Sequence, residues 1–207
     1  MRIAREGLVY ISLPAIIAAL LFILVHWAVA LPFVLVCAFM IYFFRDPYRL
    51  PPSEPDVVVA PADGRVTRVA ALGSEAENSP TVVSIFLSPL DVHINRSPIA
   101  GRVTDVSYTK GKFLMATSAQ ASLVNEQNAL TIEGEKVSVV CKQIAGILAR
   151  RIVCWKHKND QVTRGERIGL IKFSSRTDVV LPANVKVTVT EGTKVQGGVT
   201  IIGRIQP

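Results

Sequence analysis

Between Leu8 and Phe44 the chain carries no Asp, Glu, Lys or Arg, and only Pro14, His26 and Pro32 interrupt the apolar run. As one helix, about 37 residues at ~1.5 Å rise would reach roughly 55 Å, far beyond a hydrocarbon core of about 30 Å. Two spans of about 17 residues, turning near His26 to Ala30, fit that thickness better. A secretory signal would be shorter and would end in a small-residue cleavage site. Arg2 and Arg5 precede the first span, and Arg45 and Arg49 follow the second. Basic residues at both outer ends predict a transmembrane helical hairpin over residues 1–46 with both ends cytoplasmic. A re-entrant hairpin that never crosses is the alternative. His26 falls at the tip, away from any ligand role, and Trp27 and Tyr42 are expected as interfacial anchors.

The rest of the chain reads differently. Residues 47–56 form a charged, proline-rich connector that cannot continue a helix. Beyond it, Val/Ile/Thr-rich segments bounded by Gly, Pro, Asn and Asp predict strands. They are Val57–Ala60, Arg65–Ala70, Thr81–Leu87, Gly101–Ser107, Ala129–Ile132, Lys136–Gln143, Ile168–Phe173, Asp178–Leu181, Lys186–Thr190 and Val199–Ile205. Leu114–Asn125 reads as a short helix or an ordered loop. A weak repeat, APADGRVTRV and SPIAGRVTDV, shares Pro-x-x-Gly-Arg-Val-Thr-x-Val. Its strand–turn–strand rhythm is similar to the half-motifs of lipoyl-type hybrid barrels. The expected fold class is therefore mostly β, a hybrid-barrel-like domain over 57–207, plus the N-terminal hairpin. No lysine stands at a matching hairpin tip, which argues against a carrier domain.

The net charge of +7 suits an anionic partner, with a membrane surface nearest to hand. Nucleic acid is not expected, since no aromatic-interleaved basic run appears. Cys37, Cys141 and Cys154 form neither a disulfide framework nor a metal-binding spacing, so no metal is expected and buried thiols are the plainer reading.

A predicted strand, Ile168–Phe173, runs into Ser174-Ser175. Alone, such a pair is an ordinary turn dipeptide. Its context is more specific: FFRDPYR, PADG at Pro61–Gly64, FLSPLDVHINRSP at Phe86–Pro98 and GERIGLIKFSSRTD occur in this order. Together they resemble the short, bacterial and archaeal form of the phosphatidylserine decarboxylase family over nearly the whole chain. The resemblance implies a proenzyme that cuts itself between Ser174 and Ser175. The large chain would be residues 1–174 and the small chain 175–207, with Ser175 converted to a covalent pyruvoyl cofactor. That group would condense with the serine amine of the lipid head group and act as electron sink when CO2 leaves, giving phosphatidylethanolamine. The phospholipid in the membrane would be the partner, and a homo-oligomer stays open.

Within the same motifs, His93 is the expected acid–base group. Asp63 is expected to support cleavage, although an Asp before Gly is also an ordinary turn former. Arg176 is a candidate for substrate binding. Arg150, Arg151, Lys156, Lys158, Arg164 and Arg167 offer a basic cluster that can hold a phosphate or simply face solvent. His157 reads as solvated. The chain departs from the family pattern twice: short members usually carry Gly where Ser174 stands, and longer members carry a second histidine where Arg96 stands. The competing reading is a membrane-tethered, non-catalytic hybrid-barrel module that binds lipid or a protein. A serine hydrolase is poorly supported, because no GxSxG elbow surrounds Ser175.

Overall fold

The computed structural model describes residues 2–73, 79–116, 118, 120–147, 151–173 and 175–207. By internal contacts the chain divides into two compact units, residues 1–48 and 49–207. Strands hold 40% and helices 21% of the residues, so the protein is mostly β.

In the first unit, helix α1 (Leu8–Leu24) turns at Val25–His26 into helix α2 (Trp27–Phe43). The reversal is two residues long because His26 takes an extended backbone and caps α2, its Nδ1 accepting from the Ala28 amide at 3.3 Å. The tip is thus tighter than the His26–Ala30 turn expected from sequence. The Cys37 thiol donates to the Ile11 carbonyl at 3.6 Å across the helix pair. At the open end, strand β1 (Arg2–Ile3) pairs antiparallel with β2 (Arg45–Asp46). Arg5–Leu24 is long and apolar enough to cross a membrane by length and composition, and α2 is a shorter apolar helix. Most side chains on both helices are exposed, including Phe22, Ile23, Leu24 and Leu35. A surface of that kind calls for an apolar surround.

The second unit contains β3 (Val57–Val59), β4 (Gly64–Ala71), β5 (Thr81–Leu87), β6 (Ile94–Arg96), β7 (Gly101–Thr109), the single helical turn α3 (Ala121–Val124), β8 (Gln127–Glu133) and β9 (Ser138–Ala145). It continues with β10 (Ile152–Cys154), β11 (Gln161–Val162), β12 (Arg167–Ile171), β13 (Ser175–Leu181), β14 (Val185–Val187), β15 (Lys194–Val195) and β16 (Ile201–Ile205). Among the described residues, an antiparallel sheet runs β11-β7-β8-β9-β13-β5-β4-β15, and two smaller sheets run β10-β12-β6 and β14-β16-β3. Strand β8 alternates buried and half-buried residues, as expected for a sheet with one face on the core. β13 is buried almost throughout, so both of its faces are covered.

The core joins the inner face of the large sheet (Val83, Ile85, Leu130, Val139, Val179) to residues of the small sheets and loops, among them Val58, Ile168 and Ile202. Cys141 belongs to this core, and burial pushes its thiol up to about 12, so it behaves as a small hydrophobe. Two differences from the sequence expectation matter for the site. β12 ends at Ile171, and β13 begins at Ser175, three residues earlier than the expected Asp178. Of the expected segment Leu114–Asn125, the described residues form a helical turn at Ala121–Val124, and residues 117 and 119 lie outside them.

Candidate active site

Four strand ends meet around Ser175. β5 ends at Leu87, and the following loop closes on Asp91, whose Oδ2 accepts from Ser88 N at 2.8 Å and Ser88 Oγ at 2.7 Å. The loop returns through His93, which is 1% exposed. The ring Nδ1 lies 2.9 Å from the Asp91 carbonyl. A carbonyl can only accept, so Nδ1 carries the proton and the lone pair sits on Nε2. The His93 carbonyl in turn accepts from the Ile171 amide at 3.3 Å, which places His93 at the end of β12, where the chain crosses to β13. Phe173 in that crossover has φ 59°, a left-handed conformation that costs a residue with a Cβ about 1–2 kcal/mol. Ser174, the expected cleavage partner, lies outside the described residues.

Ser175 opens β13, opposite Leu87 on one side and Ala145 on the other. It is fully buried, and its Oγ has no hydrogen-bond partner among the described residues. Leaving a buried hydroxyl unsatisfied costs about 1–3 kcal/mol. A buried hydroxyl with no hydrogen-bond partner among the described residues, at the sheet end where the His93 loop returns to β12, is the feature this region offers for chemistry.

Asp63 stands at the same end of the sheet. Arg65 lies opposite Phe86, so Gly64 falls in the row of Leu87 and Ser175, two strands away, at roughly 10 Å from Ser175. Gly64 has φ 145°, and a Cβ there would strike the Phe86 carbonyl; glycine alone allows this approach. Asp63 Oδ2 pairs with Arg49 at 2.8 Å, and Oδ1 accepts from the Gly197 amide at 2.8 Å. The structure therefore gives Asp63 turn-fastening partners and brings it near Ser175 only as a neighbour along the sheet end.

A family model, phosphatidylserine decarboxylase, matches residues 36–203. The phosphatidylserine decarboxylase proenzyme of Solibacter usitatus is 45% identical over 204 residues, covering 99% of this chain and 97% of the relative. That of Geotalea uraniireducens is 42% identical over 203 residues, covering 97% and 95%. That of Chlorobium chlorochromatii is 48% identical over 167 residues, covering 80% and 79%. The chain belongs to the phosphatidylserine decarboxylase family.

As a member of the phosphatidylserine decarboxylase family, the chain still shows partners that its motifs alone did not announce. Arg176 is 4% exposed and forms a bidentate pair with Asp178, at 2.7 and 2.8 Å. Its Nη1 donates to the Ala116 and Ser118 carbonyls at 3.5 and 3.3 Å. The guanidinium is thus engaged on the outer face of β13, where it holds the carbonyls of Ala116 and Ser118. Arg96, in place of the longer members' second histidine, donates through Nη1 to the Gly165 carbonyl at 3.0 Å. In the basic cluster, Lys156 pairs with Glu166, and Arg164 holds the carbonyls of Pro52, Glu54 and Val57. These two fasten the fold. Arg150 lies outside the described residues, and His157 and Lys158 are exposed.

Sequence reasoning missed a buried polar chain beside Ser175. Asn128 Nδ2 donates to Gln143 Oε1 at 3.1 Å, Gln143 Nε2 to Asn95 Oδ1 at 2.9 Å, and Asn95 Nδ2 to Thr177 Oγ1 at 3.0 Å. All four residues are at most 3% exposed. The available signal was weak: polar residues at alternate positions of strands that otherwise read as apolar.

Proposed function

We propose that the chain is a proenzyme that cuts itself between Ser174 and Ser175 and then decarboxylates phosphatidylserine to phosphatidylethanolamine. The observation that carries this reading is the buried Oγ of Ser175 at the first residue of β13, without a hydrogen-bond partner among the described residues, in a chain of this family. In the cut, Ser175 Oγ bonds to the Ser174 carbonyl carbon as the peptide C–N bond breaks, and the amine stays on Ser175. Loss of the Ser175 α-proton then breaks its Cβ–Oγ bond, so the former Oγ leaves with Ser174 as a carboxylate oxygen. Water replaces the amine, ammonia departs, and a pyruvoyl group remains at the head of residues 175–207. Such a group would supply, through its bond to the serine amine, the sink for the electron pair left behind when CO2 departs.

His93 is the proton carrier in this reading. With Nδ1 held by the Asp91 carbonyl, Nε2 is the atom that takes and returns a proton. Asp63 acts in support, fastening the turn at the sheet end through Arg49 and Gly197. Arg176 acts on substrate only through Ala116 and Ser118, whose carbonyls it holds. The hairpin anchors the enzyme beside a substrate that stays in the bilayer, with the β unit on the cytoplasmic face. The basic residues Arg2, Arg5 and Arg45 at the hairpin's open end support that orientation.

Intact mass spectrometry of the purified chain tests this directly. Two polypeptides are expected, residues 1–174 and 175–207, the smaller without a free amino terminus; Ser175→Ala is expected to stay whole and release no CO2 from phosphatidylserine. A single 22.5 kDa chain that still decarboxylates would overturn the cofactor. An uncut wild-type chain that binds anionic vesicles without releasing CO2 would point to a non-catalytic module instead.

A further inference from the structure

His93 and Ser175 are each followed, two residues later, by a member of the buried polar chain, Asn95 and Thr177. In extended strands, residues two apart share a face. His93 directly precedes β6 and its carbonyl accepts from Ile171, continuing the pairing of Ile94 with Leu170, so Asn95 projects from the same side of this segment as His93, and Thr177 from the face of β13 that Ser175 uses. β6 and β13 lie in different sheets, so no backbone ladder fixes one against the other. The ladder that does hold β6, to β12, changes register between Arg167 and Gly169. A slip of β6 by two residues would carry His93, just before it, by roughly 7 Å along β12. Apolar packing tolerates such sliding more readily than a directed bond between two side chains does.

We infer that Asn95 and Thr177 form a clamp that sets His93 against Ser175, with Gln143 and Asn128 holding the clamp from behind. This rests on His93 and Ser175 having the roles proposed above. The orientation of Asn95 is determined by its neighbours. Gln143 donates to its Oδ1, which leaves its amide N–H groups for Thr177 Oγ1. Gln143 is oriented in the same way, accepting from Asn128 and donating also to the Val153 carbonyl at 3.4 Å. Gly169 makes room for this arrangement, since a Cβ there would lie 2.7 Å from Gln143 Nε2. Each amide has one satisfied orientation, and the clamp adds no charge beside the histidine. Asn95, Thr177 and Gln143 are positioning residues.

The test measures the rate of chain scission in pulse-labelled, full-length protein. The isosteric Thr177→Val removes the acceptor for Asn95 and should slow scission on the order of tenfold or more, through misplacement of the reacting groups. Its thermal midpoint should stay within a few degrees of wild type. Thr177→Ser, which keeps the hydroxyl, should restore scission to near the wild-type rate. Gln143→Met should slow scission less, and Thr177→Val/Gln143→Met should be no slower than Thr177→Val alone, because both act through one clamp. Scission of Thr177→Val at the wild-type rate would overturn the clamp. So would equal slowing by Val and Ser, or additive slowing in the double variant. His93→Ala serves as the control for the underlying reading. If it matures and turns over normally, the role of His93 falls, and that failure is distinct from any seen with the Thr177 variants.

Discussion

The two faces of β13 bury polar groups in opposite ways. On the inner face, Thr177 joins a chain of neutral amides and hydroxyls. On the outer face, one residue away on either side, Arg176 and Asp178 form a buried ion pair. Both are fully enclosed, but the energetics differ. A neutral hydrogen bond contributes about 1 kcal/mol net, whereas a buried pair exchanges large desolvation costs against a large attraction. The placement follows the chemistry. An uncompensated charge on the inner face would bias the proton on His93, while the amide chain gives rigidity without charge. The charged pair sits on the face away from Ser175 and Thr177, where it secures a loop.

The comparison can be broken at its stronger side first. Asp178→Asn should destabilise the protein by about 3–5 kcal/mol, because Arg176 would be left buried without a counter-charge; differential scanning calorimetry would show a large fall in the thermal midpoint. The double variant Arg176→Met/Asp178→Leu should recover most of that loss, and failure to do so would mean that the carbonyls of Ala116 and Ser118 matter more than the pair. On the inner face, Gln143→Met should cost about 1–3 kcal/mol by orphaning the Asn128 amide and the Asn95 carbonyl, measured by urea unfolding.

The half-buried pair of Lys156 and Glu166 sets the low end of the scale. Burial raises the Glu166 pKa, but the bonds from Lys156 and Thr163 outweigh it, and the net value lies below the ordinary 4.5. A carboxylate with a depressed value in the folded state stabilises above its unfolded value and loses that contribution as pH falls through the folded one. Glu166→Gln should therefore cost less than about 1 kcal/mol near neutral pH after solvent screening. The difference from wild type should vanish in acid, below the ordinary range for Glu. A gap that persists in acid would assign the effect to the Thr163 turn rather than to the charge.

Much of the fold was legible because its signals are local. Charge-free length announced the hairpin, and alternating Val, Ile and Thr announced β8 and β9. The PADG turn was readable from Gly64, whose approach to Phe86 only glycine permits. β6 was not legible, because Ile94–Arg96 is buried on all sides and carries two polar residues in three, which removes any alternation. The start of β13 was missed for a similar reason, since Ser175, Arg176 and Thr177 read as a polar turn until their buried partners are seen. Ser175 and His93 were singled out through motif order. The bond between Asn95 and Thr177 was not, because the two are 82 residues apart in sequence, and such a partnership leaves no local trace.

β13 is gripped from its first residue by Leu87 on β5 and Ala145 on β9, with paired neighbours along both sides. A strand held in this way does not need a covalent link at its head to stay in place. Removing the bond before Ser175 would create a chain end that stands as firmly as the middle of a polypeptide. The freed fragment would be an inlay in the sheet rather than a detachable subunit, and separating it would mean unfolding the core. A reactive group carried at that end would inherit the stiffness of the sheet while facing the one direction from which the backbone had been cleared.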